Sequence, residues 1–313
     1  MNRPRILLTG ATGFVGRHLA ASLLSAGEHL TLAVRDRAAC PADWRDHERV
    51  SIVEVGPLET AANLDGAFAS VSRVVHAAGF ADVDGTDAIF AANVDATRLL
   101  VDKAATTNVA TFIYISSVAA VSGNASQVVL ADDTIPSPVT SYGQSKRMAE
   151  DHVAGFAAQG RFAVSLRPPL VVGAGAKGNW RALLRLAKTG APLPFASVRN
   201  RRSLIDVEEL ARAVVILCAH DWPTRNSGNY CIANEGTVSL AEIVTELRAG
   251  MGMRPRLFPC PPSFLYGLAR ATSRQRAAAG LLGDLVVDAS RFRQTFGLAQ
   301  ARDLKAAIRA SAA

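Results

Sequence analysis

The segment Thr9-Gly10-Ala11-Thr12-Gly13-Phe14-Val15-Gly16 sits directly behind the apolar run Arg5-Ile6-Leu7-Leu8, and it limits the chain more than any other feature. Its spacing, Gly-x-x-Gly-x-x-Gly between a strand and a helix, asks for three things. Gly10 makes a tight turn, Gly13 lets backbone approach a phosphate, and Gly16 allows close packing of helix on strand. Amides at the start of that helix then face negative charge, so the turn reads as a cradle for a dinucleotide pyrophosphate. A chain that opens this way is expected to form a Rossmann-type α/β fold, a doubly wound parallel sheet with ligands beyond the carboxyl ends of its strands.

The rest of the first half keeps that rhythm. Short apolar runs predict strands at Arg5–Thr9, Leu30–Val34, Val50–Glu54, Arg73–His76, Thr111–Ser116 and Ala163–Arg167. Helical patterns lie between them, at Gly13–Ala26, Asp87–Thr107 and Tyr142–Ala158. After Arg167-Pro168-Pro169 the rhythm changes. A glycine-rich loop, Gly173–Gly178, leads into a helix over Asn179–Lys188, and Ser239-Leu240-Ala241-Glu242 reads as a capping box. The expected division is a dinucleotide-binding domain over residues 1–170. Residues 171–313 form a smaller, discontinuous α/β substrate lobe, with some segments returning to the first domain.

Composition removes several classes. The net charge is +7, yet no block of five or six like charges occurs, so a nucleic-acid footprint is poorly supported. Cys40, Cys218, Cys231 and Cys260 show no Cys-x-x-Cys spacing, which argues for buried reduced thiols and against a metal site. A strand begins within a few residues of the start, leaving no room for a cleavable signal, and no run approaches the ~18 apolar residues that span a bilayer. The expectation is a soluble protein of a reducing cytoplasm.

Two further clusters carry chemistry. The second strand ends in Arg35-Asp36-Arg37, where coenzyme choice is made. A guanidinium at Arg35 suits a 2′-phosphate, so NADP(H) is expected. The alternative is NAD(H), with Arg35 stacked on adenine and Asp36 on the ribose. Tyr142 and Lys146 are four apart and share a helix face. A free phenol has a pKa of ~10, and a neighbouring ammonium is expected to lower it. Tyr142 can then exchange a proton with the oxygen of a carbonyl or alcohol, while Lys146 also holds the nicotinamide ribose. Ser117, at the end of the Ile113–Ser116 run, is expected to bind the same oxygen; Ser116 competes, since strand neighbours point to opposite sides.

On these residues the chain resembles the extended short-chain dehydrogenases/reductases of the NAD-dependent epimerase/dehydratase group, over essentially its whole length. Also matching are His76-Ala77-Ala78-Gly79, Asn93-Val94-Asp95-Ala96-Thr97 and Arg167-Pro168-Pro169 with Val172-Gly173. The resemblance implies that the coenzyme is contacted by Gly10, Thr12, Gly13, Phe14, Val15, Gly16, Arg35, Ala77, Ala78, Gly79, Ser116, Tyr142, Lys146, Pro168 and Leu170. It implies that the Asn93-Val94 pair braces the sheet near the site. One departure stands out: Gly56-Pro57-Leu58 replaces the family's Gly-Asp-Leu, so no carboxylate meets adenine there.

Substrate residues follow from the same resemblance. Arg202, in Asn200–Val207, and Asn179 match positions near the diphosphate of nucleotide-sugar enzymes. Gly283–Leu285 and Asp288–Arg291 match the C-terminal part of those enzymes. The leading expectation is a reductase of a UDP-4-keto-sugar. Three alternatives stand beside it: a 4-epimerase with retained NAD, a reductase of steroid- or flavonoid-type ketones, and a coenzyme-sensing protein without turnover. The resemblance further implies a homodimer paired through Asp87–Thr107 and Tyr142–Ala158. The stretch from Phe264 to Arg276 is apolar and basic at helical spacing. It reads either as a helix covering the cleft or as an interfacial helix at a membrane.

Overall fold

The computed structural model describes residues 4–61, 63–81, 86–271, 275–299 and 302–312. Its frame is a sheet of seven parallel strands in the order β3-β2-β1-β4-β5-β6-β9. The strands are β1 (Arg5–Thr9), β2 (Leu30–Val34), β3 (Val50–Glu54), β4 (Val71–His76), β5 (Thr111–Ile115), β6 (Phe162–Arg167) and β9 (Gly228–Cys231). Two short strands, β7 (Leu170–Val172) and β8 (Leu204–Asp206), pair with each other in a second sheet. The winding reverses between β1 and β4, and at such a switch point a crevice opens for ligand.

Alternation along each strand divides the apolar side chains between two faces. Ile6 and Leu8 of β1 enter a cluster with α1 (Phe14–Ser25) that also holds Leu210, Val214, Phe292 and Phe296. Leu7 points the other way, into a cluster with Leu100, Phe112, Val153 and Phe156. These come from α2 (Ala96–Ala105), β5 and α3 (Ser141–Ala157). The helix facing α1 is α5 (Val207–Ala219), which precedes β9, so the chain returns to the main sheet late.

A third cluster belongs to the smaller lobe. Trp180 and Leu183 of α4 (Gly178–Lys188) meet Ile243, Val244 and Leu247 of α6 (Leu240–Gly250). Ile308 of the C-terminal helix closes it, and the buried Trp180 indole donates to Ser311 Oγ at 3.2 Å. The capping box at Ser239 is formed: its backbone N–H donates to Glu242 Oε2 at 2.9 Å, and its hydroxyl accepts from the Glu242 amide at 3.2 Å.

Two elements go beyond what the sequence pattern shows. The helix expected over Asp87–Thr107 runs from Thr86 to Ala105, but its middle, Ala91–Asp95, is π-helical and joins Thr86–Phe90 to α2. The cause is tertiary. The wider turn holds Asn93 against Phe80 and Ser145 while Thr97 donates to the Asn93 carbonyl at 2.6 Å. Strand β9 is the other: Gly-Asn-Tyr-Cys carries no apolar run, yet it pairs in parallel with β6. All four cysteines are free and buried, and no helix among the described residues is long and apolar enough to cross a membrane.

One ion pair ties α3 to the sheet. Glu150 accepts from Arg167 Nε at 2.8 Å and from Nη2 at 2.7 Å, with both side chains almost wholly out of water. Ser116 Oγ donates to the same carboxylate at 2.6 Å. Removing one member of such a pair leaves a charge buried without compensation. Glu150→Ala is therefore expected to destabilise the fold by about 3–5 kcal/mol, read as a lower urea midpoint with an unchanged slope.

Candidate active site

The glycine turn has the geometry that an anion requires. Gly10 adopts φ +72°, and a Cβ there would stand 2.6 Å from the Ala78 amide nitrogen, so only glycine lets the turn lie against β4's exit. Helix α1 begins at Gly13 with no side-chain cap and no acidic residue in its first turn. Its leading amides thus remain available to a phosphate. Phe14 packs edge-on against His18 and near Gly173, and Val15 rests on the main core. Their side chains are structural, which leaves the backbone to meet a coenzyme. Thr12 offers its carbonyl to Arg17 Nε at 3.2 Å.

From this turn a line of buried hydrogen bonds runs to the helix bearing Tyr142. The Ala78 N–H donates to Thr9 Oγ1 at 3.2 Å, and Thr9 Oγ1 lies 2.7 Å from His76 Nδ1. Thr97 Oγ1 lies 3.0 Å from His76 Nε2 and donates to the Asn93 carbonyl. Only one tautomer fits: Thr9 donates to Nδ1, and the Nε2 proton goes to Thr97. Burial, then the charge of Lys146, pushes His76 down to about 3, so the ring is neutral. Asn93 continues the line. Its amide donates to the Phe80 carbonyl and to Ser145 Oγ, each at 2.9 Å, and Ser145 donates to the Tyr142 carbonyl at 2.8 Å.

Tyr142, Lys146 and Glu150 follow one another on the inner face of α3. The helix comes close to the loop carrying Ser117 because Gly143 has no side chain: a Cβ there would sit 2.2 Å from the Ala119 carbonyl oxygen. Ser117 lies beside the Tyr142 hydroxyl and acts to lower its pKa, and its oxygen accepts from the Ala119 amide at 3.1 Å. Ser116 faces the other way, committed to Glu150, so it has only its backbone to offer a coenzyme. Of the two serines, Ser117 is the one beside the phenol.

The electrostatics differ from the expected pattern. Burial raises the Tyr142 phenol above its ordinary value, and the neighbouring Ser117 hydroxyl opposes this only in part. Lys146 does not lower it, because its Nζ stands 6.0 Å from the Tyr142 ring centre and donates to the Ile115 carbonyl at 2.9 Å. The ammonium lies over the buried Tyr114 ring at 4.6 Å. Burial pushes Lys146 down to about 8, with Glu150 one turn away acting to hold its charge. The Cβ position of Gly79 is 3.1 Å from Lys146 Nζ, so the His76–Gly79 exit and Lys146 converge.

The remaining candidates are spread around this centre. Arg35 is exposed at the end of β2, and the Asp36 carboxylate accepts from the Ala38 amide at 2.7 Å. Pro168 is buried and its carbonyl accepts from Val118 at 3.0 Å, while Leu170 opens β7 and packs on the smaller lobe. Asn179 is exposed in the first turn of α4. Arg202 is buried, donating to the carbonyls of Gly283 at 2.8 Å and Asn124 at 3.3 Å. It therefore clamps the loop beyond Ser117 to the C-terminal segment. Sequence reasoning missed Glu150, although its place four residues past Lys146, with Arg167 ending a strand, was a readable signal.

Comparison with known proteins agrees with this architecture. Residues 6–233 match the model of the NAD dependent epimerase/dehydratase family. A UDP-glucose 4-epimerase of Vibrio cholerae is 30% identical over 302 residues, covering 93% of this chain and 89% of that protein. A ceramide reductase of Caulobacter vibrioides is 30% identical over 300 residues, covering 96% and 83%. The structure of UDP-glucuronic acid 4-epimerase from Bacillus cereus in complex with NAD superposes with a TM-score of 0.78 at 18% identity, over 98% of this chain and 95% of that one. The chain belongs to the NAD dependent epimerase/dehydratase family of enzymes.

Proposed function

We propose that the protein reduces the keto group of a nucleotide-activated sugar, of the UDP-4-keto-hexosamine type, with NADPH as coenzyme. The reading rests above all on Tyr142, whose half-buried phenol lies beside the Ser117 hydroxyl. When bound, a nicotinamide dinucleotide supplies the hydride. Tyr142 gives its proton to the substrate oxygen, and Ser117 orients that oxygen. The product alcohol then holds one hydride and one proton more than the ketone, and Tyr142 regains its proton from water. Lys146 keeps positive charge beside the ribose side of the site.

Arg35 supports the choice of NADPH. It is exposed where a 2′-phosphate would lie, while Asp36, the competing ribose ligand, is already bonded to the Ala38 amide. The names of the Vibrio cholerae and Bacillus cereus proteins support a UDP-sugar. We assign the diphosphate to Arg202 and Asn179, with Arg202 pre-set by its two carbonyl partners. Pairing of two copies through α2 and α3, where Met148 is 47% exposed, belongs to the same proposal.

The second reading is a 4-epimerase, favoured by the name of the Vibrio cholerae relative. It needs a coenzyme retained through turnover, whereas a net reductase must exchange it. Purified protein carrying tightly held NAD and needing no added coenzyme overturns the reductase. A thermal-shift screen with NADPH or NAD, each with UDP, GDP or dTDP, is expected to show its largest shift with NADPH and UDP.

Tyr142→Phe is expected to lower kcat by about 10²–10⁴-fold while the NADPH-induced thermal shift is kept. Arg35→Ala removes a charge-assisted contact worth about 1.5–3 kcal/mol. The expected result is a KM for NADPH raised roughly 10–100-fold, with that for NADH nearly unchanged. The pH profile of reduction should fall above about 8, where Lys146 loses its proton while Tyr142, held up by burial, keeps its own.

A further inference from the structure

Helix α7 (Pro262–Ala271) has no buried residue, and it shows apolar side chains to solvent in a number unusual for a surface helix. Phe264 is 65% exposed and Leu268 56%, with Tyr266 and the preceding Phe258 exposed as well. Phe264, Gly267, Leu268 and Ala271 follow helical spacing and line a shallow apolar groove of about 600 Å³. Leu265 turns inward, to the core of the smaller lobe, and Ala269 one turn on is half-buried. Thr272, Ser273 and Arg274 lie outside the described residues, and the helix after them, α8 (Gln275–Leu282), packs on α7.

The segment that carries this helix has charge of one sign, with Asp284 directly after it. From Leu247 to Gly283 the sequence holds six arginines and no aspartate or glutamate. Arg254, Arg256 and Arg270 are exposed. Arg256 Nη1 donates to the Gly190 carbonyl at 3.4 Å, which joins this region to the exposed Arg185 and Lys188 of α4. An exposed apolar strip with Arg270 on its own helix, and exposed arginines in the segment leading to it, matches the boundary of an anionic bilayer, where rings and aliphatic chains enter the acyl edge and guanidiniums stay with the headgroups. A second copy of the chain is a poor occupant, because it would set arginines against arginines.

We propose that α7 docks the enzyme on a membrane rich in anionic lipid. Tyr266 lies within the electrostatic reach of Arg202, so on the proposed role of Arg202 the docked face borders the substrate cleft. Substrate entry and product release would then take place at the lipid surface. This inference stands apart from the identity of the substrate.

The test is co-sedimentation of the full chain with vesicles of phosphatidylglycerol and phosphatidylcholine, against vesicles of phosphatidylcholine alone, at low and high salt. Binding is expected to the anionic vesicles and to weaken as salt rises. The double variant Phe264→Ser/Leu268→Ser, and separately Arg254→Gln/Arg256→Gln, should each weaken binding by about tenfold or more. Both should keep the NADPH-induced thermal shift of the parent, which shows that they fold. Equal binding to both vesicle types, no binding to either, or variants that bind like the parent would overturn the proposal. So would a concentration-dependent dimer that Phe264→Ser/Leu268→Ser dissolves, since that gives the face to a second copy.

Discussion

The position of α3 on the sheet decides what every other group in the site can reach. Two contacts hold it there. At one end Gly143 presses against the Ala119 carbonyl, a distance that no side chain would allow. Two turns further on, the Glu150 carboxylate is gripped by both nitrogens of the Arg167 fork. Neither ion is in water, so the pair tolerates little displacement: its Coulomb gain offsets desolvation only while the geometry is kept. Lys146 lies between these two anchors and Tyr142 adjoins the first, so their reach is set by them.

The same arrangement explains how charges are distributed. Glu150 is shared by Arg167, by the Ser116 hydroxyl and, through space, by Lys146. Desolvation nonetheless wins at Lys146, whose ammonium is held between a carbonyl and an aromatic face rather than a full counter-charge. At Tyr142 desolvation wins too, in the direction that keeps the proton. Both shifts have one origin, the low polarity of the ground under the helix: each favours the neutral form, phenol at Tyr142 and amine at Lys146. The neutral His76 ring fits this picture, since it links Thr9 to Thr97 without adding charge.

Much of the fold was legible because parallel strands buried on both faces read as unbroken apolar runs. β1, β2, β3 and the inner parts of β4, β5 and β6 lie where those runs predict them. β9 was not legible: with Gly and Asn in its four residues, it is a strand only because β6 offers an edge beside it. The π-helical stretch at Asn93 has no local signature, since its cause lies at Phe80 and Ser145. In the site, the spacing of Tyr142 and Lys146 did predict a shared face. It did not predict the phenol's direction of shift, which depends on how much water the surrounding loops exclude. Strand alternation posed the choice between Ser116 and Ser117, and only the partner on α3 resolves it.

The late return of the chain has an effect on how the molecule can be divided. After β6 the polypeptide leaves to build β7, α4 and β8, then comes back with α5 against α1 and with β9 on the open edge. A fragment ending at Arg167 would keep the whole glycine turn yet lose the helix that shields Leu19 and Leu23. It would also present a naked sheet margin to its neighbours in solution. Such a piece would clump before it could bind anything, so the coenzyme half cannot be lifted out as a working module by cutting between its apparent halves.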